Sequence, residues 1–234
     1  MELELEYRND GSVVNVTYDP AIPRIQGYRE YVIAIDLARD EDFTAAVVLE
    51  DRRLPVLSPG IVLGPRQMRI VYADRFKNVD YATVCDYIRR LYLAPNYPKK
   101  RIIIDGGGVG GVVSDLLREQ QIPHDAAIIT GGDGWRRSRH PFVNISKTLL
   151  VENLGAALES GLLRFEEEMP LKAELESDLE LFERKQTAAG NEIISQGRKA
   201  GSHGDLAIAA ALACLSATHL RPGFQGQGTA TGFW

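Results

Sequence analysis

Three aspartates lie at the ends of strongly apolar segments, where an unpaired carboxylate is unfavourable. Asp36 is near the carboxyl end of the apolar run YVIAIDL, Asp105 ends the run RIIID, and Asp205 opens the segment DLAIAAALA. A carboxylate at the end of a buried strand is unfavourable unless it is paired or binds a cation. Because a single such aspartate is usually a turn former or a helix cap, it is the combination of three that indicates a site.

Carboxylates that converge on one point repel each other unless a divalent cation neutralises them. Two Mg²⁺ or Mn²⁺ ions about 3.5–4 Å apart can clamp a phosphodiester: one activates water and the other stabilises the leaving oxygen. The three aspartates therefore predict a divalent-metal site, with Mg²⁺ or Mn²⁺ as the cofactor, that hydrolyses a phosphodiester.

The hydrophobic pattern predicts strands and helices that position these aspartates. The first three strands have short connections, which favours antiparallel pairing, whereas the later strands alternate with helices, which favours parallel pairing. The predicted fold is an α/β mixed sheet flanked by helices, in which Asp36 and Asp105 meet if their strands are neighbours. The predicted strands are 31–37, 43–49, 67–72, 101–104 and 126–129, and a hairpin is predicted at 184–195. The predicted helices are 79–93, 109–120, 146–160, 170–182 and 202–218, and Ser202 is the predicted N-cap of the last one.

Length and composition favour one ordinary globular domain. The 234 residues are 44% hydrophobic and 25% charged, and we expect an arm at 1–30, a domain at 31–219 and a flexible tail at 220–234. No apolar run is long enough to span a bilayer, and the first residues do not form a signal peptide, so we expect no membrane partner and a cytoplasmic location. Cys85 and Cys214 are interpreted as buried free thiols rather than a disulfide.

Three segments in order resemble the nuclease domain of phage terminase large subunits, the DNA-packaging motors of tailed bacteriophages. The segments are VIAIDLARDEDFTAAVV, RIIIDGGGVGGVVSDLLRE and GSHGDLAIAAALA. The resemblance implies a ribonuclease H-like fold and an endonuclease that cuts concatemeric double-stranded DNA with two divalent ions. It implies that Asp36, Asp105 and Asp205 form the catalytic acidic triad, with Asp42, or alternatively Asp40, as an additional metal ligand.

The resemblance also implies partners: an ATPase motor domain, a portal and a small terminase subunit, in the cytoplasm of the host cell. The sequence has no G-x-x-x-x-G-K-[ST] phosphate loop. We therefore expect either an excised domain or a free-standing nuclease subunit, which does not hydrolyse ATP by itself.

Basic residues near the predicted site are candidates for contact with DNA phosphates. For each of them a solvated surface position is a competing interpretation, and the net charge of −5 argues against a broad electrostatic grip on DNA. His203, two residues before Asp205, is a weaker candidate for positioning water or DNA. The candidates for contact with DNA are Arg136, Arg137 and Arg139 in a predicted Gly- and Arg-rich loop at 131–142, Lys147 at a helix start, and Arg198 and Lys199.

Three other functions compete with the nuclease: a dinucleotide-binding enzyme, a phosphotransferase, and a non-catalytic binding module in which the aspartates are structural. The glycines from Gly106 to Gly111 match the dinucleotide fingerprint G-x-G-x-x-G, but that motif normally follows the first strand, and Asp105 places a negative charge beside it. An actin-like or sugar-kinase-like phosphotransferase has glycines after its first strand, where this chain has Leu37 and Ala38. Within the nuclease interpretation, a junction resolvase or a transposase-like enzyme remains an alternative.

Overall fold

A computed structural model of the chain has one large mixed sheet with helices on both faces. It describes residues 3–17, 19, 21–37, 43–132, 134–186, 192–196, 204–220 and 228–229. Within these residues no helix is both long and apolar enough to cross a bilayer. The strands, in chain order, are β1 (Leu5–Tyr7), β2 (Ser12–Asn15), β3 (Gln26–Asp36), β4 (Thr44–Arg53), β5 (Pro55–Ser58), β6 (Gly60–Leu63), β7 (Gln67–Phe76), β8 (Lys100–Asp105), β9 (Asp125–Thr130), β10 (Gly134–Arg137), β11 (Phe142–Ser146), β12 (Leu163–Phe165), β13 (Phe182–Gln186), β14 (Glu192–Gln196) and β15 (Gly228–Thr229).

The large sheet has an antiparallel half and a parallel half that share β3. Its strand order is β12-β7-β4-β3-β8-β9-β11-β10-β15, and β4 is antiparallel to both β3 and β7. Strands β3, β8, β9 and β11 are parallel to one another. Strands β3, β7, β8, β9 and β11 therefore all end on one side of the sheet, which we call the carboxyl edge. The opposite side is the amino edge.

In the described part of the chain, five helices cover the two faces of this sheet. They are α1 (Tyr81–Leu93), α2 (Gly110–Glu119), α3 (Lys147–Glu159), α4 (Lys172–Leu179) and α5 (Asp205–His219). The residues of β3 alternate between the two cores, because successive side chains of a strand point to opposite faces. Val32 and Ala34 belong to the core under α3, α4 and α5, while Ile33 and Ile35 belong to the core under α1 and α2.

Helix α5 is the central helix of its layer. Its sequence, DLAIAAALACLSATH, has no polar face, and every residue from Leu206 to Ala217 is buried. A helix that is apolar on all sides must be enclosed by other elements, and α5 packs on β3, β4, α3 and α4. Its alanines allow the helix axis to approach the sheet closely.

The predicted mixed fold is confirmed, but several element boundaries were wrong. The boundary between the arm and the domain at residue 30 falls inside β3, and β2 pairs with the first part of β3, so the N-terminal hairpin belongs to the sheet. The β5–β6 hairpin and β12 were not predicted. The hairpin predicted at 184–195 is confirmed by the pairing of β13 with β14.

The region 131–142 is not one loop. It contains β10, which pairs with β11, a strand that the sequence analysis also missed. The sequence GWRR of β10 has one buried residue, Trp135, and is otherwise polar or glycine, so it lacks an apolar signal. The last helix begins at Asp205 with Gly204 as its N-cap, whereas Ser202 lies outside the described residues. Of the predicted flexible tail, Gly228–Thr229 forms a short strand paired with β10, Leu220 follows α5, and the remainder is outside the described residues.

Candidate active site

Asp36 and Asp105 end two adjacent parallel strands in the same register. The pairing of β3 with β8 continues through Ile35 and Ile104, and the two aspartates are the next residues of each strand. By strand alternation both side chains lie on the α5 face, since Ala34 and Ile103 belong to that core. Neighbouring strands are about 4.8 Å apart. The sheet therefore brings two partly buried carboxylates together at its carboxyl edge.

Two contacts at the far end of α5 show the direction in which this helix runs across the sheet. Arg66, just before β7, donates to the Ala217 carbonyl at 2.8 Å. Arg137 donates to the Leu220 carbonyl at 3.2 Å and pairs with Asp125, the first residue of β9. Both contacts place the C-terminus of α5 at the amino edge. A 15-residue helix is about 22 Å long, so its first residue, Asp205, lies toward the carboxyl edge, as Asp36 and Asp105 do.

The start of α5 is capped from another helix. Gly204 adopts a left-handed backbone with φ of 73° and has no side chain to satisfy the first N–H groups of α5. The Asp178 carboxylate, on α4, accepts instead from the Leu206 N–H at 3.2 Å, and its side chain is buried. Asp178 was not singled out from the sequence, because its pairing with Leu206 spans 28 residues and no local motif signals it.

The glycine run after β8 packs against its own strands. The Gly107 N–H donates to Asp105 Oδ1 at 2.8 Å, which fixes that carboxylate. A Cβ on Gly110 would overlap the Asp105 carbonyl, and one on Gly106 would meet Ala126 at 3.0 Å. These glycines therefore have a packing reason within the fold, and the antiparallel half of the sheet differs from an all-parallel dinucleotide-binding domain.

The donor chemistry of this edge fits a hard divalent cation, because carboxylate oxygens are the ligands that Mg²⁺ and Mn²⁺ prefer. Within the described residues, however, no group of three or more His, Cys, Asp or Glu side chains is arranged to hold a metal ion. Asp42 and Asp40, the proposed additional ligands, lie outside the described residues. The structure thus supplies the pair Asp36–Asp105 in register and Asp205 at the helix start, without a completed ligand set.

The three arginines predicted to hold DNA are not at this edge. Arg136 and Arg137 lie on β10 and Arg139 on the turn after it, at the amino edge. Arg137 is engaged with Asp125 at 2.7 Å and with the Leu220 carbonyl, which is the contact pattern of a structural residue. A four-residue strand is about 13 Å long, so this turn lies at least that far from the carboxyl edge.

Lys147, in contrast, is at the carboxyl edge. It is the first residue of α3, directly after β11, and the Ser146 side chain caps this helix by accepting from the Leu149 N–H at 3.0 Å. Arg198, Lys199 and His203 lie outside the described residues. Arg75 on β7 and Lys77 just after it also lie at the carboxyl edge. They could not be identified from the sequence, because nothing in the local sequence relates them to Asp36.

The mixed sheet, with β3 shared by its two halves and helices on both faces, is the ribonuclease H-like α/β fold. No protein-family profile and no curated protein matches the sequence. Solved structures that resemble the chain include nuclease domains of phage large terminases.

Three of these solved structures illustrate the likeness. The nuclease of the large terminase of thermophilic phage G20c, solved with bound magnesium, is 21% identical, and the match covers 92% of this chain and 91% of that chain with a TM-score of 0.50. The large terminase nuclease domain of a Thermus phage is 19% identical over 92% and 90%, with a TM-score of 0.52. A mutant nuclease domain of the large terminase subunit gp2 of bacterial virus Sf6, solved with manganese and β-thujaplicinol, is 14% identical over 79% and 87%, with a TM-score of 0.55. At these identities the likeness establishes the fold.

Proposed function

We propose that this chain is a divalent-metal-dependent endonuclease of a viral DNA-packaging terminase, which cuts concatemeric double-stranded DNA. The observation that carries the proposal is the register of Asp36 and Asp105 at one sheet edge, with the first residue of α5 oriented toward it. Solved domains of the same fold are large terminase nucleases, and some hold magnesium or manganese.

Asp36, Asp105 and Asp205, with Asp42, are the residues that would hold Mg²⁺ or Mn²⁺. A pair of such ions, when bound, would supply an activated water and stabilise the charge on the leaving oxygen. The residues of the chain position this chemistry. The Gly107 N–H orients Asp105, and Asp178 caps the start of α5 beside Asp205. The residues that precede the two strand-end aspartates on the same face, Ala34 and Ile103, are packed in the core under α5.

Contact with the DNA backbone is proposed for Lys147, Arg198 and Lys199. Lys147 is at the carboxyl edge and partly exposed, whereas Arg198 and Lys199 shortly precede Asp205 in the sequence. Arg136, Arg137 and Arg139 would reach DNA only if the duplex also ran along the outer side of β10.

An ATPase motor domain, a portal and a small terminase subunit are the partners that this function requires, in the cytoplasm of the host cell. These 234 residues contain no G-x-x-x-x-G-K-[ST] phosphate loop, so the ATPase motor of this function would be supplied by residues other than these. Purified chain alone should show no sustained ATP turnover.

The experiment that tests the nuclease is cleavage of supercoiled plasmid with Mn²⁺, with Mg²⁺ and with EDTA. Asp36→Asn, Asp105→Asn and Asp205→Asn should each lower cleavage by orders of magnitude while the variants remain folded. Asp115→Asn is the matched control, because Asp115 is exposed on α2, on the opposite face of the sheet. If all three site variants cut as fast as this control, the site is wrongly assigned; no cleavage by the parent chain with either metal would reject the proposed activity.

A further inference from the structure

A cluster of one aromatic ring and two cations lies beside the candidate active site. The guanidinium carbon of Arg75 is 4.9 Å from the centre of the Phe43 ring, and Lys77 Nζ is 4.8 Å from the same centre. Phe43 and Arg75 are partly buried, and Lys77 is exposed. We call these three residues the Phe43 cluster.

Strand register places this cluster on the same face as the aspartates. Ala45 of β4 lies opposite Asp36 on one side and opposite Arg75 on the other. Residues directly opposite each other point to the same face of a sheet, and Ala45 belongs to the core under α5. Arg75 is therefore two strand spacings, about 10 Å, from Asp36, with only the small Ala45 side chain between them.

The two cations have no acidic partner in the described part of the chain. No carboxylate there lies within ion-pair distance of Arg75 or Lys77. Both charges are held against one ring, where they repel each other, and a bound anion would relieve that repulsion. A guanidinium stacked on an aromatic ring is also preorganised, so that it loses less conformational entropy when it binds a phosphate.

Lys147 occupies the opposite end of the same edge. Between β7, which carries Arg75, and β11, which precedes Lys147, the order of strands is β7-β4-β3-β8-β9-β11. This is five strand spacings, or about 24 Å, which corresponds to about seven base steps of B-form DNA. Asp36 and Asp105 lie between the two basic ends, so a polyanion that touches both ends passes over the aspartates.

We propose that the Phe43 cluster binds the sugar–phosphate backbone of DNA on one side of the cleaved phosphodiester, and that Lys147 binds the backbone on the other side. The inference rests on the proposed nuclease function. It adds the direction in which DNA crosses the protein: along the carboxyl edge, across the strands, from β7 toward α3. The contacts are to phosphate, so they carry no sequence preference.

The test is the salt dependence of binding to a short fluorescent duplex, measured by anisotropy in EDTA so that metal-dependent cleavage does not occur. Each lost phosphate contact should reduce the slope of log K against log salt by about 0.9. R75A/K77A should therefore lower the slope by nearly two, and K147A by nearly one. R89A/R118A is the matched control, because it removes two exposed positive charges on α1 and α2, on the other face of the sheet, and should leave the slope close to that of the parent.

The outcomes separate this inference from the function on which it rests. If the parent binds and cuts DNA but R75A/K77A has the same slope as R89A/R118A, the Phe43 cluster only packs against its own ring and the inference is overturned. If the parent neither binds nor cuts DNA, the proposed function fails and the inference fails with it. Should R75A/K77A be unfolded by circular dichroism, K77A alone decides, because Lys77 is exposed: a slope lowered by about one supports the inference and an unchanged slope overturns it.

Discussion

The Asp178 carboxylate accepts a hydrogen bond from the backbone N–H of Leu206 across 3.2 Å, so that the end of α4 caps the start of α5. The cap comes from a different helix because Gly204, at the N-cap position, has no side chain. A negative charge at this position also interacts favourably with the positive end of the helix dipole. The residue that follows Gly204 is Asp205, so a buried structural contact borders a candidate metal ligand.

Asp178→Ala should therefore lower both stability and cleavage. Loss of a helix cap costs about 1–2 kcal/mol, which urea unfolding would measure, and a loosened α5 would misplace Asp205. Asp178→Asn keeps an oxygen acceptor of the same shape, so it should retain most of the stability and of the cleavage rate. Equal cleavage by the Ala variant and the parent, at a temperature where both are folded, would show that Asp178 does not position Asp205.

Two substitutions of Asp105 should separate its electrostatic role from its hydrogen bond. Asp105→Asn removes one of several like charges but keeps an acceptor for the Gly107 N–H, so in EDTA it should melt at or above the temperature of the parent. Asp105→Ala loses that acceptor as well and should be less stable than Asp105→Asn by about 1 kcal/mol. Mn²⁺ at 100 times its dissociation constant should stabilise the parent by about 2.7 kcal/mol.

Neither Asp105 variant should respond to Mn²⁺ as the parent does. Thermal melts with and without the ion, repeated with a short duplex present, provide the comparison. A parent that ignores millimolar Mn²⁺ and Mg²⁺ in both settings, together with a clearly destabilised Asp105→Asn, would contradict a metal site at this edge.

Gly110 and Gly111 are neighbours on α2 that should respond oppositely to alanine. A Cβ on Gly110 would overlap the Asp105 carbonyl oxygen and lie 2.8 Å from its carbon, both backbone atoms, whereas a Cβ on Gly111 would meet nothing within 4 Å. Gly110→Ala should therefore destabilise the fold by about 3 kcal/mol or more and impair cleavage, since the clash displaces the end of β8. Gly111→Ala should be neutral or stabilising by up to about 1 kcal/mol, because alanine favours helix. Chemical denaturation of the two variants checks the pair, and similar losses in both would argue against close packing of Gly110 on β8.

His124 should make stability depend on pH. Burial lowers the pKa of His124 below its ordinary value of 6.5, although the hydrogen bond between Nδ1 and the Ile122 carbonyl, at 2.9 Å, acts in the opposite direction. Because the unfolded chain then binds the proton more readily than the folded one, this contribution is fully present above about pH 6.5 and is lost as the pH falls toward the folded pKa. His124→Asn should flatten the decline in unfolding free energy between pH 7.5 and 5, measured by urea titration. Burial also lowers the pKa of His219, so His219 should contribute to the same loss of stability. In His124→Asn the decline in unfolding free energy should therefore be smaller than in the parent but still present.

Arg137→Ala should cost stability rather than DNA affinity. Arg137 bridges Asp125 and the Leu220 carbonyl, and its removal leaves the partly buried Asp125 without that partner. The triple variant R136A/R137A/R139A should keep the salt slope of duplex binding, because these residues lie at the amino edge, while K147A should reduce it. If the triple variant instead lowered the slope of log K against log salt by about three, the three arginines would belong to the DNA-binding surface.

Local sequence was sufficient to identify the strands that carry Asp36 and Asp105 and the helix that Asp205 opens. Continuous apolar runs such as YVIAID are typical of a strand buried on both faces. This signal can be recognised without knowing which strands lie beside it. The same information missed β10, because a four-residue strand with one buried side chain has no such run. It also placed the cap of α5 at Ser202, because capping motifs are recognised locally and Asp178 acts from another helix.

What only the tertiary structure decided is which of the polar residues are neighbours. Asp36, Ala45 and Arg75 lie side by side because two antiparallel pairings set their register, and no pattern within one strand encodes a register with another. Arg137 and Lys147 are ten positions apart in the sequence, yet strand direction sends one to the amino edge and the other to the carboxyl edge. The sequence by itself determined the kinds of side chain available for a metal site and the elements that carry them. Their meeting at one edge depends on strand order and direction, which are properties of the folded sheet as a whole because each strand's position is set by hydrogen bonds to segments distant in the chain.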